Sequence, residues 1–306
     1  MITKKADSYI IITPVKNEEK NIPILIESIL NQTKKPILWV IVNDGCTDNT
    51  MKIIEDTKKD RDWILSIDLE NSEWALGLHY SEVCMKGFSF SEMYSKKNGI
   101  MWEYIGIVDG DMKLNDNYFE KLIDIFNANR RLGIASGKLY SLHNGKFKYE
   151  HIRDNEPIGG ARLWRKKCII ENPYQSHYSA DSVSNAKAKL NGWETKIISE
   201  VTAFQMRRIG SSKGLRKGAV YNGKSCYYRG FTPLFAFFKG LKLYTKYPFY
   251  LGFWYWFGYY SSLLKRMDKI ADKDIIEYYS KTRTKEMKKY YSNKIRAFLR
   301  LKSEKL

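Results

Sequence analysis

A chain of 306 residues, 43% of them hydrophobic, is long enough for one large folded domain with an appendage and too apolar to be a disordered tail. Its formal net charge of +18 lies wholly in the last third: residues 201–306 carry 24 Lys and Arg against 6 acidic residues, while residues 1–200 balance 28 against 28. No Asp or Glu occurs between Val201 and Met267, so a neutral body is joined to a basic end suited to an anionic surface.

The N-terminus passes from Met1 to Asp7 into a strand without a secretory apolar segment. Cys46, Cys84, Cys168 and Cys226 show neither CxxC nor paired spacing, which points to a reducing compartment and away from zinc or disulfides. Tyr9 to Thr13 is a β-branched strand ending in Pro14-Val15-Lys16-Asn17-Glu18-Glu19. Ile22, Leu25, Ile26, Ile29 and Leu30 recur at helical spacing. A second strand, Ile37 to Val42, runs into Asn43-Asp44-Gly45-Cys46-Thr47-Asp48-Asn49-Thr50, with Thr47 or Asp48 capping a helix over Met51 to Lys59. A third strand, Ile64 to Leu69, precedes a long helix from about Leu76 to Lys96, and a fourth ends at Asp109. This alternation predicts βαβ units with right-handed crossovers and a parallel sheet. The loops after strands one, two and four then open on one edge and bring Glu18, Asp44, Asp109 and Asp111 together.

Asp109-Gly110-Asp111 offers hard oxygen ligands for Mg²⁺ or Mn²⁺, a cation that takes one or two carboxylates and completes its shell with water and substrate phosphates. Singly, each of these motifs also reads as an ordinary turn or helix start.

As an ordered set they resemble the family-2 glycosyltransferases, inverting enzymes of the GT-A fold. The matching residues are Thr13 to Glu19, Asn43 to Asp48, Asp109-Gly110-Asp111, Ile158-Gly159-Gly160-Ala161-Arg162 and Ser179-Ala180-Asp181-Ser182, within residues 8–205. The resemblance implies an α/β, Rossmann-like and mostly parallel sheet with flanking helices. It also implies a nucleotide-diphosphate sugar donor at the sheet's carboxyl edge. Asp44 would contact the base, Pro14, Lys16 and Glu18 would line the nucleoside, and Asp109 would lie near the ribose. Asp111 would hold the Mg²⁺ or Mn²⁺ that bridges the pyrophosphate. Asp181 is the implied general base, with Glu171 and Glu194 as alternatives, and Gly159, Gly160 and Arg162 fall at the acceptor or pyrophosphate. Two departures stand out. Many members show paired acids where this chain has Ala180-Asp181-Ser182, and many place a histidine metal ligand near Gln205. Asp111 is therefore expected as the only charged ligand of a loosely held metal.

Gly210 to Gly218 lacks the Walker spacing of a P-loop and reads as a mobile basic loop, either ordering Lys213 and Arg216 over pyrophosphate or simply solvated. Phe231 to Lys246 is an amphipathic helix with Lys239, Lys242 and Lys246 opposite Leu234, Phe237, Leu241 and Tyr244. Tyr247 to Leu264 has no charge in 18 residues, ten of them aromatic. As a helix it measures about 27 Å, short of a ~30 Å hydrocarbon core. Its Tyr, Trp and Phe content, with Pro248, Gly252 and Gly258, favours helices lying in the cytoplasmic membrane face over a single span or packing on protein. Asp268 to Leu306 is a Lys-rich helical tail. The expected organisation is a catalytic domain over 1–205, a mobile basic Gly/Ser region over 206–230 and a basic aromatic helical extension over 231–306.

The expected activity is metal-dependent sugar transfer to a membrane-associated glycan or lipid-linked acceptor at the inner face of the cell membrane. A polyprenyl-phosphate sugar synthase, resembling dolichyl-phosphate mannose synthases, needs the same carboxylates with a phosphate acceptor. A nucleic-acid or anion binder using basic and aromatic residues belongs to another class. The neutral, carboxylate-bearing body repels phosphates, so no nucleic-acid partner is expected. The residues around Asp44 suit uridine or guanosine alike.

Overall fold

A computed structural model describes residues 7–69, 78–208, 214–245, 248–286 and 292. The chain divides into two compact units, Met1–Ile209 and Gly210–Leu306.

The first unit is built on β1 (Tyr9–Val15), β2 (Leu38–Asn43), β3 (Ile64–Asp68), β4 (Tyr104–Val108), β5 (Met112–Leu114), β6 (Leu132–His143), β7 (Lys146–Tyr149), β8 (Ala161–Arg165) and β9 (Glu194–Gln205). Its helices are α1 (Ile22–Leu30), α2 (Thr50–Lys58), α3 (Leu78–Lys97), α4 (Tyr118–Ala128), α5 (Lys166–Glu171) and α6 (Ala180–Leu190). One sheet runs in the order β3-β2-β1-β4-β8-β6-β9-β5, with β7 paired to β6. The block β3-β2-β1-β4 is parallel throughout, as the βαβ pattern requires. Beyond β4 antiparallel pairs enter, because β8 runs against both β4 and β6, while β6 and β9 are parallel.

Period-two alternation divides each central strand between two cores. Tyr9, Ile11 and Val15 join Trp39, Ile41 and Val108 under α1, α2 and α4, where Leu25, Ile54 and Phe119 pack. Ile10, Ile12, Val40, Val42 and Ile107 face the other way, onto Val83 and Cys84 of α3 and Cys168 of α5. Burial on both faces explains why these strands read as unbroken apolar runs. Thr195–Ile198 and Val201–Phe204, two runs parted by the polar Ser199-Glu200, belong to the single strand β9. Its register against β6 slips between Gly137 and Lys138, whose partners are Ile198 and Thr202. The exposed pair Ser199-Glu200 lies in that slip, so the polar break is a bulge rather than a strand end.

The second unit contains α7 (Leu215–Tyr228), α8 (Pro233–Tyr244), α9 (Tyr250–Leu264) and α10 (Lys273–Glu277), which runs into a π turn over Tyr278–Thr282. The span 206–230, expected as a Gly/Ser loop region, carries α7 instead. Ala219, Gly223, Cys226 and Tyr227 are buried at helical spacing and make that stretch a packed helix. Residues 209–213, with Lys213, lie outside the described residues. The glycines of α9 are not helix breakers. A Cβ on Gly258 would stand 2.1 Å from the Val220 carbonyl of α7, and one on Gly252 would stand 2.6 Å from the Gly240 carbonyl of α8. They let three helices approach closely. With 15 residues α9 is about 22 Å long. No helix of the described residues is long and apolar enough to cross a membrane.

Candidate active site

Three loops meet at the carboxyl edge of β1, β2 and β4. The first two are stitched together. The Thr47 amide donates to Asn17 Oδ1 (2.8 Å), the Glu18 amide to Thr50 Oγ1 (2.8 Å) and the Glu19 amide to Asp48 Oδ2 (3.1 Å). Asp48 also accepts from the Thr50 amide (3.0 Å), but the N-cap position of α2 is held by Asn49 rather than by Thr47 or Asp48. Pro14 stands at the end of β1 opposite Val42. Asp44 lies just past β2, its side chain 11% exposed. Lys16 Nζ donates to the Asp44 carbonyl (2.7 Å) and approaches Oδ2 (3.3 Å), while His79 Nε2 donates to Oδ1 (2.6 Å).

Asp111 precedes β5 and is completely buried. Its Oδ2 accepts from Gln205 Nε2 (3.0 Å) and pairs with Arg207 Nε (2.6 Å). The same guanidinium reaches Glu18 Oε1 through Nη2 (2.6 Å), so Arg207 bridges two buried carboxylates. Burial opposes the guanidinium's charge, but Asp111 and Glu18 outweigh it and raise its pKa above the ordinary arginine value. Asp111 Oδ1 is buried with no hydrogen-bond partner. Asp109 sits between β4 and Asp111 and accepts from the Tyr80 hydroxyl (2.5 Å). Burial first, then the charge of Asp111, pushes its carboxyl up to about 7 against the opposing Tyr80 bond.

Gly159 and Gly160 explain how the fourth carboxylate arrives. The Asp109 amide donates to the Gly160 carbonyl (2.9 Å). A Cβ on Gly160 would stand 2.3 Å from Asp109 Oδ2, and one on Gly159 would stand 2.1 Å from Asp181 Oδ2. Two carboxylates thus press on two adjacent bare backbone positions. Asp181 is not a helix cap, because Ser179, with φ of 56°, holds that position in α6. Its Oδ1 accepts from the Tyr174 hydroxyl (3.2 Å), and its side chain is 31% exposed.

Arg162 corrects an expectation. It is 1% exposed and donates to the carbonyls of Pro157 (2.7 Å), Ile158 (2.7 Å) and Asp181 (3.1 Å) and to Asn185 Oδ1 (3.3 Å). It fastens the Gly-Gly turn to α6, and its Nη1 lies 4.0 Å from Asp181 Oδ1. Glu171 and Glu194 lie at the opposite, amino end of the sheet. Glu171 accepts from Trp193 Nε1 and Glu194 from Asn129 Nδ2, so neither joins the cluster. Arg216 belongs to the second unit, where its guanidinium lies 3.6 Å over the Trp254 ring.

Among the described residues no group of three or more His, Cys, Asp and Glu is disposed to hold a metal ion. Gln205 turns its amide N–H to Asp111 and so positions the carboxylate rather than offering an oxygen. The orphaned Asp111 Oδ1 is nevertheless a hard donor. One carboxylate oxygen, with the remaining ligands from a diphosphate and water, suits Mg²⁺ or Mn²⁺. His79, Tyr80, Tyr174 and Arg207 are the site residues that sequence reasoning passed over. The first two carried a usable signal, since they open the helix after a third parallel strand and must lie near the same edge.

Residues 10–184 match the family model described as Glycosyl transferase family 2. The glycosyltransferase GlyA of Streptococcus pneumoniae serotype 4 is 28% identical over 172 residues, which are 56% of this chain and 22% of that protein. Among solved structures, S. aureus TarS superposes with a TM-score of 0.52 at 16% identity, over 79% of this chain and 46% of that one. The mannosyltransferase PcManGT from Pyrobaculum calidifontis, in complex with GDP-Man and Mn²⁺, gives 0.52 at 13% identity, over 84% and 74%. The chain spans about a fifth of GlyA's length and under half of the TarS chain. These likenesses show a GT-A fold.

Proposed function

The chain belongs to glycosyl transferase family 2, and from that premise we propose a specific reaction for it. It moves a sugar, with inversion, from a nucleotide-diphosphate sugar to a hydroxyl of a membrane-associated glycan or lipid-linked acceptor. The observation that carries this reading is the meeting of Glu18, Asp109, Asp111 and Asp181 at one sheet edge, two of them pressed against Gly159 and Gly160. Asp44 takes the nucleobase, Pro14, Lys16 and Glu18 line the nucleoside, and Asp109 lies by the ribose. Asp111 Oδ1 would hold Mg²⁺ or Mn²⁺. When bound, that cation neutralises the charge developing on the leaving diphosphate. Arg207 offsets the charge of Asp111 and Glu18, which otherwise repel an incoming diphosphate.

Asp181 acts as general base. It takes the acceptor hydroxyl's proton as that oxygen bonds to the anomeric carbon. The bond from that carbon to the diphosphate breaks, and its electron pair leaves with the diphosphate. Tyr174 and Arg162 hold Asp181 in place.

The second unit supports the acceptor side of the proposal. Leu234, Phe237, Phe238 and Leu241 of α8 and Phe253 and Phe257 of α9 are all exposed, in a segment free of acidic residues. We assign this exposed apolar and aromatic face, in a segment rich in Lys and Arg, to the anionic inner surface of the cell membrane. Calorimetric titration of UDP, GDP, CMP, dTDP and their sugars, with and without Mn²⁺, tests the donor site. Metal-dependent binding is expected in the wild type and in Asp181→Asn, and not in Asp111→Ala. Transfer by Asp181→Asn is expected to fall on the order of 10²–10⁴-fold. A wild type that binds no nucleotide overturns the reading.

A further inference from the structure

Away from the carboxylates, α3 carries a stripe that does not close onto its neighbours. Met85, Phe88, Ser89, Glu92, Ser95 and Lys96 recur at helical spacing and form one wall of a cleft of about 580 Å³. Ile169 of α5 and Tyr174 beyond it supply the other wall, and Trp102 and Ile105, at the start of β4, the floor. The volume falls in the range of small-molecule sites. Trp102, Ile105 and Tyr174 are 8%, 2% and 6% exposed, so the apolar bottom is reached by a thin chain rather than by the flat face of another protein. The stripe from Met85 to Lys96 is about 16 Å long, and its two ends differ. Met85, Phe88 and Tyr174 make the inner end apolar. At the other end Lys96 lies in the last turn of α3 and Lys166 opens α5. The Lys166 amide donates to the Glu103 carbonyl (2.8 Å), and its Nζ lies 4.4 Å over the Trp102 ring. Glu92 sets one negative charge against these two ammonium groups. Ser95 Oγ, on the same wall, is buried with no hydrogen-bond partner, and rotation about χ1 can turn it to a ligand oxygen.

We propose that this cleft binds a single-chain amphiphile with an anionic head, of the long-chain carboxylate class. Its chain lies toward Phe88 and Tyr174, and its head sits between Lys96 and Lys166. An apolar trench with a net positive, donor-bearing end is the complement of such a molecule. Occupancy bears on the transferase site through one side chain. Tyr174 lines the cleft with its ring and donates its hydroxyl to Asp181 Oδ1 (3.2 Å). The ring packs against Phe88 (centroids 5.5 Å apart) and Trp164 (5.9 Å). Trp164 Nε1 in turn donates to Ser184 Oγ (3.1 Å) of α6, the helix that carries Asp181. A chain packed on the open side of Tyr174 restricts that ring, so its hydroxyl holds the carboxylate in one orientation for more of the time. The coupling rests on the reading of Asp181 as general base, and the binding site does not.

The test is calorimetric titration of sodium dodecanoate, below its micelle-forming concentration, into the full-length protein. Acetate and dodecyltrimethylammonium serve as the head-only and opposite-charge probes. Dodecanoate is expected to bind saturably at one site, about tenfold or more tightly than either of them. Ser89→Trp puts an indole into the cleft from an exposed position of α3. That variant, and the pair Lys96→Glu with Lys166→Glu, should each weaken dodecanoate about tenfold or more, with Tm within about 4 °C of wild type. Phe253→Ser with Phe257→Ser should leave its affinity unchanged, which separates the cleft from the exposed apolar face of the second unit. No saturable binding, equal affinity in Ser89→Trp, equal affinity for the cationic probe, or loss confined to the Phe253→Ser, Phe257→Ser pair overturns the site. Saturating dodecanoate is further expected to raise kcat about fivefold at unchanged donor KM in the wild type and not in Ser89→Trp. Binding with no change in kcat overturns the coupling through Tyr174. A wild type that binds dodecanoate but no nucleotide overturns the general-base reading and leaves the site standing.

Discussion

Replacing Gly159 by Ala tests whether the position of the Asp181 carboxylate limits transfer. The new methyl would lie 2.1 Å from Asp181 Oδ2 and 2.7 Å from Cγ, where ordinary contact begins at 3.4 Å. The end of a short side chain yields more readily than the backbone of the turn that leads into β8, so the carboxylate moves by about 1.3 Å, the gap between 2.1 and 3.4 Å. That displacement breaks the 3.2 Å bond from Tyr174. A shift of about 1 Å at a reacting group costs on the order of 10²-fold in rate, or ~2.7 kcal/mol of barrier. We expect kcat to fall about 10²-fold, with the donor KM within about threefold of wild type, since Asp181 does not hold the nucleotide. The Tm should move by less than about 4 °C, because the contact is relieved toward a side chain that is 31% exposed. Gly160→Ala is the matched control. Its methyl would meet Asp109 Oδ2 at 2.3 Å, so its main effect should be on the donor KM. Steady-state release of nucleoside diphosphate and scanning calorimetry on both variants provide the readouts. A Gly159→Ala enzyme with wild-type kcat, beside an inactive Asp181→Asn, would refute the positional argument.

Arg207→Met leaves the buried Asp111 and Glu18 without their shared cation. After discounting for a side chain that is 37% exposed, the cost is about 1–3 kcal/mol. The loss should show as a lower Tm in EDTA and be partly recovered by Mn²⁺ with nucleotide; an unchanged Tm would contradict the bridge. Arg162→Met strands the carbonyls of Pro157, Ile158 and Asp181 and should cost about 3 kcal/mol or more, lowering Tm by about 10 °C. A loss of activity without that drop would return Arg162 to a direct role. Phe253→Ser with Phe257→Ser removes two exposed rings worth ~1.5–3 kcal/mol each at an apolar interface. Sedimentation with phosphatidylserine vesicles should weaken at least about tenfold, and equal binding by the double variant would refute the membrane face.

Much of the first unit was legible because its signals are local. The β-branched runs at Tyr9, Leu38 and Tyr104 are strands, the apolar spacing from Ile22 is α1, and a parallel block places the following loops on one edge. Elements without such signals escaped. β5 is held by pairing to the distant β9 rather than by its own pattern, whereas the hairpin of β6 and β7 turns at Asn144-Gly145, both at positive φ, a local signal that sequence reasoning passed over. Gly214 and Gly218 suggested a loop across the start of α7, whereas the burial of Ala219, Cys226 and Tyr227 and the close approach of Gly223 to α9 make it a packed helix.

The same division runs through the site. Local patterns alone determined that Glu18, Asp44, Asp109 and Asp111 end parallel strands, because strand propensity and turn chemistry act over a few residues. Only the tertiary structure decided what each carboxylate touches. Arg207 reaches Glu18 across 189 residues of sequence, Gln205 reaches Asp111 across 94, and His79 reaches Asp44 across 35. A carboxylate's charge, orientation and remaining free oxygen depend on those partners. They become neighbours only when the sheet closes and the side chains are desolvated together, which no spacing along the chain records.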